Sequence, residues 1–117
     1  MSRDYLAEIE QVLAPLDANL QRGTSDMVDD DVWNYMIYGR DSRHRTGIDK
    51  VEKYFVTIVR EIEVPEETIQ MVIDAVKSLP GFRQSEDDIS FEYLRIGTTK
   101  QCAEACKIFF VKPSKGV

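Results

Sequence analysis

The sequence predicts a single α+β domain over residues 1–117, about four helices followed by a small antiparallel sheet. Apolar residues recur at helical spacing through the first two thirds of the chain. The repeat shortens to two near residue 89, as a half-buried strand requires. Glycine and proline punctuate the pattern, and no internal repeat or linker divides the chain.

Leu6, Ile9, Leu13, Leu16 and Leu20 step by 3, 4, 3 and 4 and make one stripe of a first helix. Pro15 lies inside it and should kink or interrupt it, because its ring removes a helix hydrogen bond. Gly23 and Thr24-Ser25 end the segment. A second helix is expected from Asp26, a capping residue, with Asp29 in its first turn. Val32, Tyr35 and Met36 supply its apolar face, and Gly39 stops it. Residues 40–47 read as a charged loop. Thr46 and Asp49 resemble a capping box that opens a third helix, in which Ile48, Val51, Phe55, Ile58 and Ile62 again step by 3, 4, 3 and 4. A fourth helix starts at Val64-Pro65-Glu66-Glu67, buries Ile69, Val72, Ile73, Val76 and Leu79, and ends at Pro80-Gly81. Ile89, Phe91 and Tyr93 then alternate with Ser90 and Glu92 as a strand. Gly97-Thr98-Thr99 breaks it. A short helix over 99–107 and a strand over 108–112 complete the chain, with 113–117 as a frayed tail.

The length suffices for one buried core, and 43% hydrophobic with 31% charged residues is ordinary for a folded domain. No apolar run is long enough to span a membrane. Met1-Ser2-Arg3-Asp4-Tyr5 holds no apolar signal core, so cytoplasmic residence is the expectation. A pI near 4.8 argues against a general nucleic-acid binder. Cys102 and Cys106 are spaced for neither a redox pair nor, with His44 the lone histidine, a closed zinc site; they read as small apolar residues or, less simply, a thiol switch.

Charge is laid out in blocks. Residues 1–31 carry −6, 32–60 carry +3, 61–92 carry −7 and 93–117 carry +4. The acidic blocks hold two carboxylate runs, Asp29-Asp30-Asp31 and Glu86-Asp87-Asp88. Clustered carboxylates repel one another unless a cation or basic partner neutralises them, and calcium takes six to eight oxygen ligands in flexible geometry. An EF-hand loop is absent, so any such site is assembled from separate segments. Its candidate ligands are Asp26, Asp29, Asp30 and Asp31, then Asp41, then Glu86, Asp87 and Asp88. The plainer reading of the first run is dipole-complementing acids in a helical first turn, and of the second a solvated loop.

Asp29-Asp30-Asp31, the Tyr38-Gly39-Arg40-Asp41 turn and Ser85-Glu86-Asp87-Asp88, in an acidic chain of this size, give a sequence that resembles the small cyanobacterial calcium-binding proteins of the CcbP type. The resemblance implies a compact calcium buffer or sensor that binds through negative surface clusters.

Arg40, Arg43, His44 and Arg45 suit oxyanions or an acidic protein, or simply neutralise acids of their own chain. Catalysis has little support: Ser42 near His44 makes no triad, and nucleophile elbows and phosphate loops are absent. Trp33, Tyr35, Tyr38 and Phe55 read as core or near-core aromatics. The leading expectation is therefore a non-enzymatic calcium-binding protein with Ca2+ as its cofactor. The alternative is an acidic interaction or inhibitor-type module that covers a basic protein partner.

Overall fold

The computed structural model describes residues 4–23, 34–46, 49–95 and 101–115. They form two helices and six strands in the order α1 (Tyr5–Leu13), β1 (Leu20–Arg22), β2 (Tyr35–Thr46), β3 (Asp49–Glu61), α2 (Glu66–Lys77), β4 (Arg83–Gln84), β5 (Ser90–Arg95) and β6 (Cys102–Lys115). The expected four helices and small sheet are thus replaced by a mixed α/β domain built on one large sheet. No described helix is long and apolar enough to cross a membrane.

Strand order is β1-β2-β3-β6-β4, with β5 also paired to β6. Only the β1–β2 pair is parallel. The outer edge of β6 is shared: Cys102 to Lys107 pair with β5, and Phe110 and Val111 pair with β4.

Both helices pack on one face of the sheet. Met36 and Tyr38 from β2, Tyr54, Val56 and Ile58 from β3, and Cys106, Ile108 and Phe110 from β6 meet Ile9, Leu13, Val72 and Val76 of the helices in one core. These residues are spaced by two along each strand, the side-chain period of a strand. α1 begins where Asp4 accepts the Ala7 amide at 3.1 Å, and it ends at Leu13, two residues before Pro15. Leu20, expected on that helix, lies instead in β1. α2 matches its expected face, with Ile69, Val72, Ile73 and Val76 buried and Pro65 just before its first turn.

The third expected helix is β3, and its chemistry explains why. Tyr54-Phe55-Val56-Thr57-Ile58-Val59 is an unbroken run of aromatic and β-branched residues, which fit a pleated surface and lose rotamer freedom in a helix. The helical spacing of Val51, Phe55 and Ile58 arose because both faces of this strand carry apolar side chains. The second expected helix likewise yields β2 from Tyr35 onward, and 99–107 yields most of β6 rather than a short helix. The tail is not frayed as far as Lys115. Pro113 stands opposite Val51 in β6, beyond the last β4 pair, where among the described residues one strand edge has no partner and a missing N–H is tolerated.

Neither described helix packs on the opposite face. Phe55 and Phe109 sit side by side there in the β3–β6 register, and Gly39 of β2 lies opposite Phe55. Gly39 leaves room for the ring: a Cβ at that position would stand 3.0 Å from the Phe55 edge. The Lys107 ammonium lies 4.8 Å from the Phe55 centroid and 5.3 Å from that of Phe109, while Lys53 lies 4.4 Å over Phe109. Lysine stems thus cover these half-buried rings and keep this face wet, with cation–π attraction as the added term.

Candidate interaction surfaces at the two ends of the sheet

One of the charge patterns seen in the sequence becomes a basic pole in space. Beyond Gly39, β2, β3 and β6 run on together as a three-stranded ribbon comprising residues 40–46, 49–53 and 111–115. Antiparallel pairing brings basic stretches from distant parts of the chain into that ribbon. It carries seven lysines and arginines against three acids, net +4, in a chain of net −6, which leaves −10 for the remainder. The molecule measures 53 × 26 × 25 Å.

Within the ribbon Glu52 is the acid with the most partners. It accepts the Tyr54 hydroxyl at 2.6 Å and pairs with Arg43 at 2.8 Å. Those contacts, the tyrosine first, hold its carboxyl below the ordinary range, while burial and then Glu52 push the Tyr54 hydroxyl upward. Arg45 stands directly opposite Lys50 in the register, and neither makes an ion pair among the described residues. Like charges so placed repel.

At the other end β3 stops at Glu61 in a strained turn. The Glu63 amide donates to the Glu61 carbonyl at 2.9 Å, two residues back, around Ile62 at φ 71°. This is a γ-turn of the rare positive-φ kind, which an L-residue adopts at a cost and a β-branched residue most of all. The Ile62 amide donates to Cys102 of β6 at 2.9 Å, which anchors the turn to the sheet. The next residue but one, Val64, is buried, and its amide donates to the Glu104 carboxylate at 2.8 Å. Tyr93 donates to the same carboxylate, which raises its hydroxyl pKa, Glu104 being the first cause.

These backbone constraints leave large apolar side chains in solvent. Ile62 is 73% exposed, Tyr93 66% and Phe91 50%. The alternation of Ile89, Phe91 and Tyr93 predicted a strand here, and the strand observed is Ser90–Arg95, with Phe91 and Tyr93 in solvent. They pair across from Cys106 and Glu104 on the helix side of β6, yet α2 does not cover them. Glu61, Glu63, Glu66 and Glu67 are all exposed around the turn and the start of α2, and Arg95 ends β5 nearby.

The sequence-predicted carboxylates divide as follows. Asp26, Asp29, Asp30 and Asp31 lie outside the described residues, as does Trp33. Asp41 is the extra residue at a bulge in β2, where the register shifts between Arg40 and Ser42. It lines a shallow depression with Arg40, Arg43 and Lys53. Glu86, Asp87 and Asp88 follow β4 in an exposed loop. Asp87 is engaged by its own chain: Lys53 reaches across β6 to pair with it at 2.6 Å, and Ser85 donates to it through a short hydrogen bond. Lys53 and then Ser85 hold its carboxyl below the ordinary range. Among the described residues no group of three or more His, Cys, Asp or Glu side chains is placed to hold a metal ion. Cys106 is buried, which pushes its thiol up to about 12, and Cys102 is half-buried four residues before it on the same strand.

The exposed Ile62 went unnoticed in the sequence because it completed an apparent helical stripe. The available signal was its place between Glu61, Glu63 and the Val64-Pro65 helix start, where a chain turn is due. Comparison with protein-family models and with curated proteins returned no match.

Proposed function

We propose that this protein is a non-enzymatic interaction module whose acid-rimmed apolar end, centred on Ile62 and Tyr93, docks a basic protein segment. One observation carries the reading. The chain holds a β-branched residue in a left-handed γ-turn and leaves that side chain 73% exposed. A strained conformation of this kind costs on the order of 1–3 kcal/mol and clusters at binding sites. Asparagine or glycine would make the same turn more cheaply. A partner that covers Ile62 supplies burial that offsets the cost, and the surrounding glutamates favour a partner with lysines and arginines. Apolar anchors inside a charged rim are the usual anatomy of a docking surface.

Calorimetric titration with a lysine-rich amphipathic peptide tests this, with magnesium and calcium as comparators at about 0.15 M salt. Saturable peptide binding that weakens with salt and is lost in Ile62→Asn is expected. Specific, saturable calcium binding at small whole-number stoichiometry, without peptide binding, would transfer the function to the carboxylate clusters. Peptide binding unchanged in Ile62→Asn would remove this end from the account.

A further inference from the structure

We propose that the basic segment received by the Ile62 end is the charged ribbon of a second copy of this chain, so that two copies lie antiparallel in a closed dimer. This rests on the reading of that end as a docking surface and names its partner.

Charge complementarity is the argument. The ribbon bears +4, and Glu61, Glu63, Glu66 and Glu67 stand exposed about the turn and the start of α2. β3 itself joins the poles, running from Asp49 in the ribbon to Glu61 beside the turn. At about 3.3 Å per residue the poles are roughly 40 Å apart. The screening length is about 8 Å at physiological salt, so the glutamates at the turn cannot satisfy Arg45 and Lys50 of their own chain. Two elongated molecules laid antiparallel satisfy both poles at once. The two contacts are then identical and related by a two-fold axis, the commonest closed arrangement of identical chains.

The ribbon has an unsatisfied feature that such a partner relieves. Arg45 and Lys50 face each other across β2 and β3 as like charges with no ion pair among the described residues. Glu61 and Glu63 of the other copy supply the missing anions, on either side of the exposed Ile62. Charged edges also keep strands from pairing at random. That role alone would use either sign of charge, and does not account for the exposed glutamates on either side of Ile62.

Charge reversal at each pole tests the arrangement. Arg45→Glu with Lys50→Glu keeps a like-charge pair in the ribbon but inverts its sign. Glu61→Lys with Glu63→Lys inverts the far end. Sedimentation equilibrium of the unmodified chain at 50 mM salt should give twice the 13.5 kDa chain mass, falling to one chain mass at 1 M. Each double variant should be monomeric at 50 mM salt. An equimolar mixture of the two should recover the dimer, because every contact is again between opposite charges. Circular dichroism confirms that each variant is folded, and the mixture itself shows that both remain competent.

An unmodified chain that is monomeric at every salt and concentration overturns the self-assembly. If the far end still binds the lysine-rich peptide, only the identity of the partner has failed. If it binds neither, the docking surface has failed with it. A dimer that survives both reversals would place the interface elsewhere and overturn the proposal equally.

Discussion

Ile62→Asn should make the isolated protein more stable while weakening its association, a pairing that few substitutions produce. Ile62 sits at φ 71°, a sparsely populated conformation that costs an L-residue roughly 1–3 kcal/mol. Asparagine visits that region several-fold more readily, since its side chain bonds the local backbone. What the isoleucine contributes by burial is small. Full burial of such a side chain is worth about 1.5–3 kcal/mol, and this one is 73% exposed, so roughly 0.5 kcal/mol is at stake. The net expectation is a gain of about 1 kcal/mol. For a domain of this length that corresponds to a rise in melting temperature of about 4 °C. Urea and thermal denaturation should be followed at 1 M salt, where both proteins are monomers and association cannot add to stability. Ile62→Gly should gain less, because glycine frees the unfolded chain at a cost of about 0.5–1 kcal/mol. A loss of 1 kcal/mol or more in Ile62→Asn would refute the reasoning, since it would mean that the side chain packs against the fold and is not held out for a partner.

Other perturbations follow from the same geometry. Glu52 and Asp87 both have folded pKa values below their ordinary 4.5 and 3.8, through Tyr54 and Lys53 respectively. A depressed acid contributes stability that is complete above its unfolded pKa and is lost as pH falls through the folded one. The urea midpoint should therefore be flat in these two groups above about pH 5 and decline below pH 4.5, and Glu52→Gln with Asp87→Asn should flatten that acid limb. Gly39→Ala should destabilise by roughly 1–3 kcal/mol, because its Cβ meets the Phe55 ring at 3.0 Å; an unchanged midpoint in urea would show that the ring moves aside freely. Iodoacetamide at neutral pH should modify Cys102 first. Cys106, buried with its thiol pushed up to about 12, should react only on unfolding, as mass spectrometry of the digested protein would show.

What the sequence disclosed depends on whether one face or two faces of an element carry apolar residues. α2 was legible because it has one wet face, a proline before its first turn and glutamates in that turn. The period-two signal of β5 was equally legible, but periodicity says only that Phe91 and Tyr93 share a side, not that anything covers it. β3 was misread because Phe55 packs on the open face while Tyr54, Val56 and Ile58 pack beneath the helices, and the mixture imitates a helical stripe. Ala103, Glu104 and Ala105 gave β6 a similarly helical composition. The aromatic and β-branched run in β3 outweighs spacing and was the better guide.

For the candidate site, the alternation of charged blocks was visible along the chain and its consequence was not. Residues 40–53 and 111–115 join into one basic pole only because β2, β3 and β6 are neighbours, a long-range pairing that local pattern does not encode. Asp87 was singled out as a ligand from its acidic neighbours. The lysine that occupies it is 34 residues away in sequence and reaches it across an intervening strand. Asp41 was expected as a ligand in a charged loop; the structure places it at a bulge of β2 among arginines.

If the Ile62 end docks a basic segment, that segment must perturb it. Amide chemical-shift mapping tests it most directly. The 15N-labelled Arg45→Glu, Lys50→Glu chain, monomeric on this account, would be titrated with its unlabelled Glu61→Lys, Glu63→Lys counterpart and, separately, with the lysine-rich peptide. Both the peptide and the counterpart chain should shift amides of residues 61–67 and 91–95, with the inverted ribbon shifting alongside them. Shifts confined to 85–88 and 41, or spread evenly over the acidic surface, would contradict it.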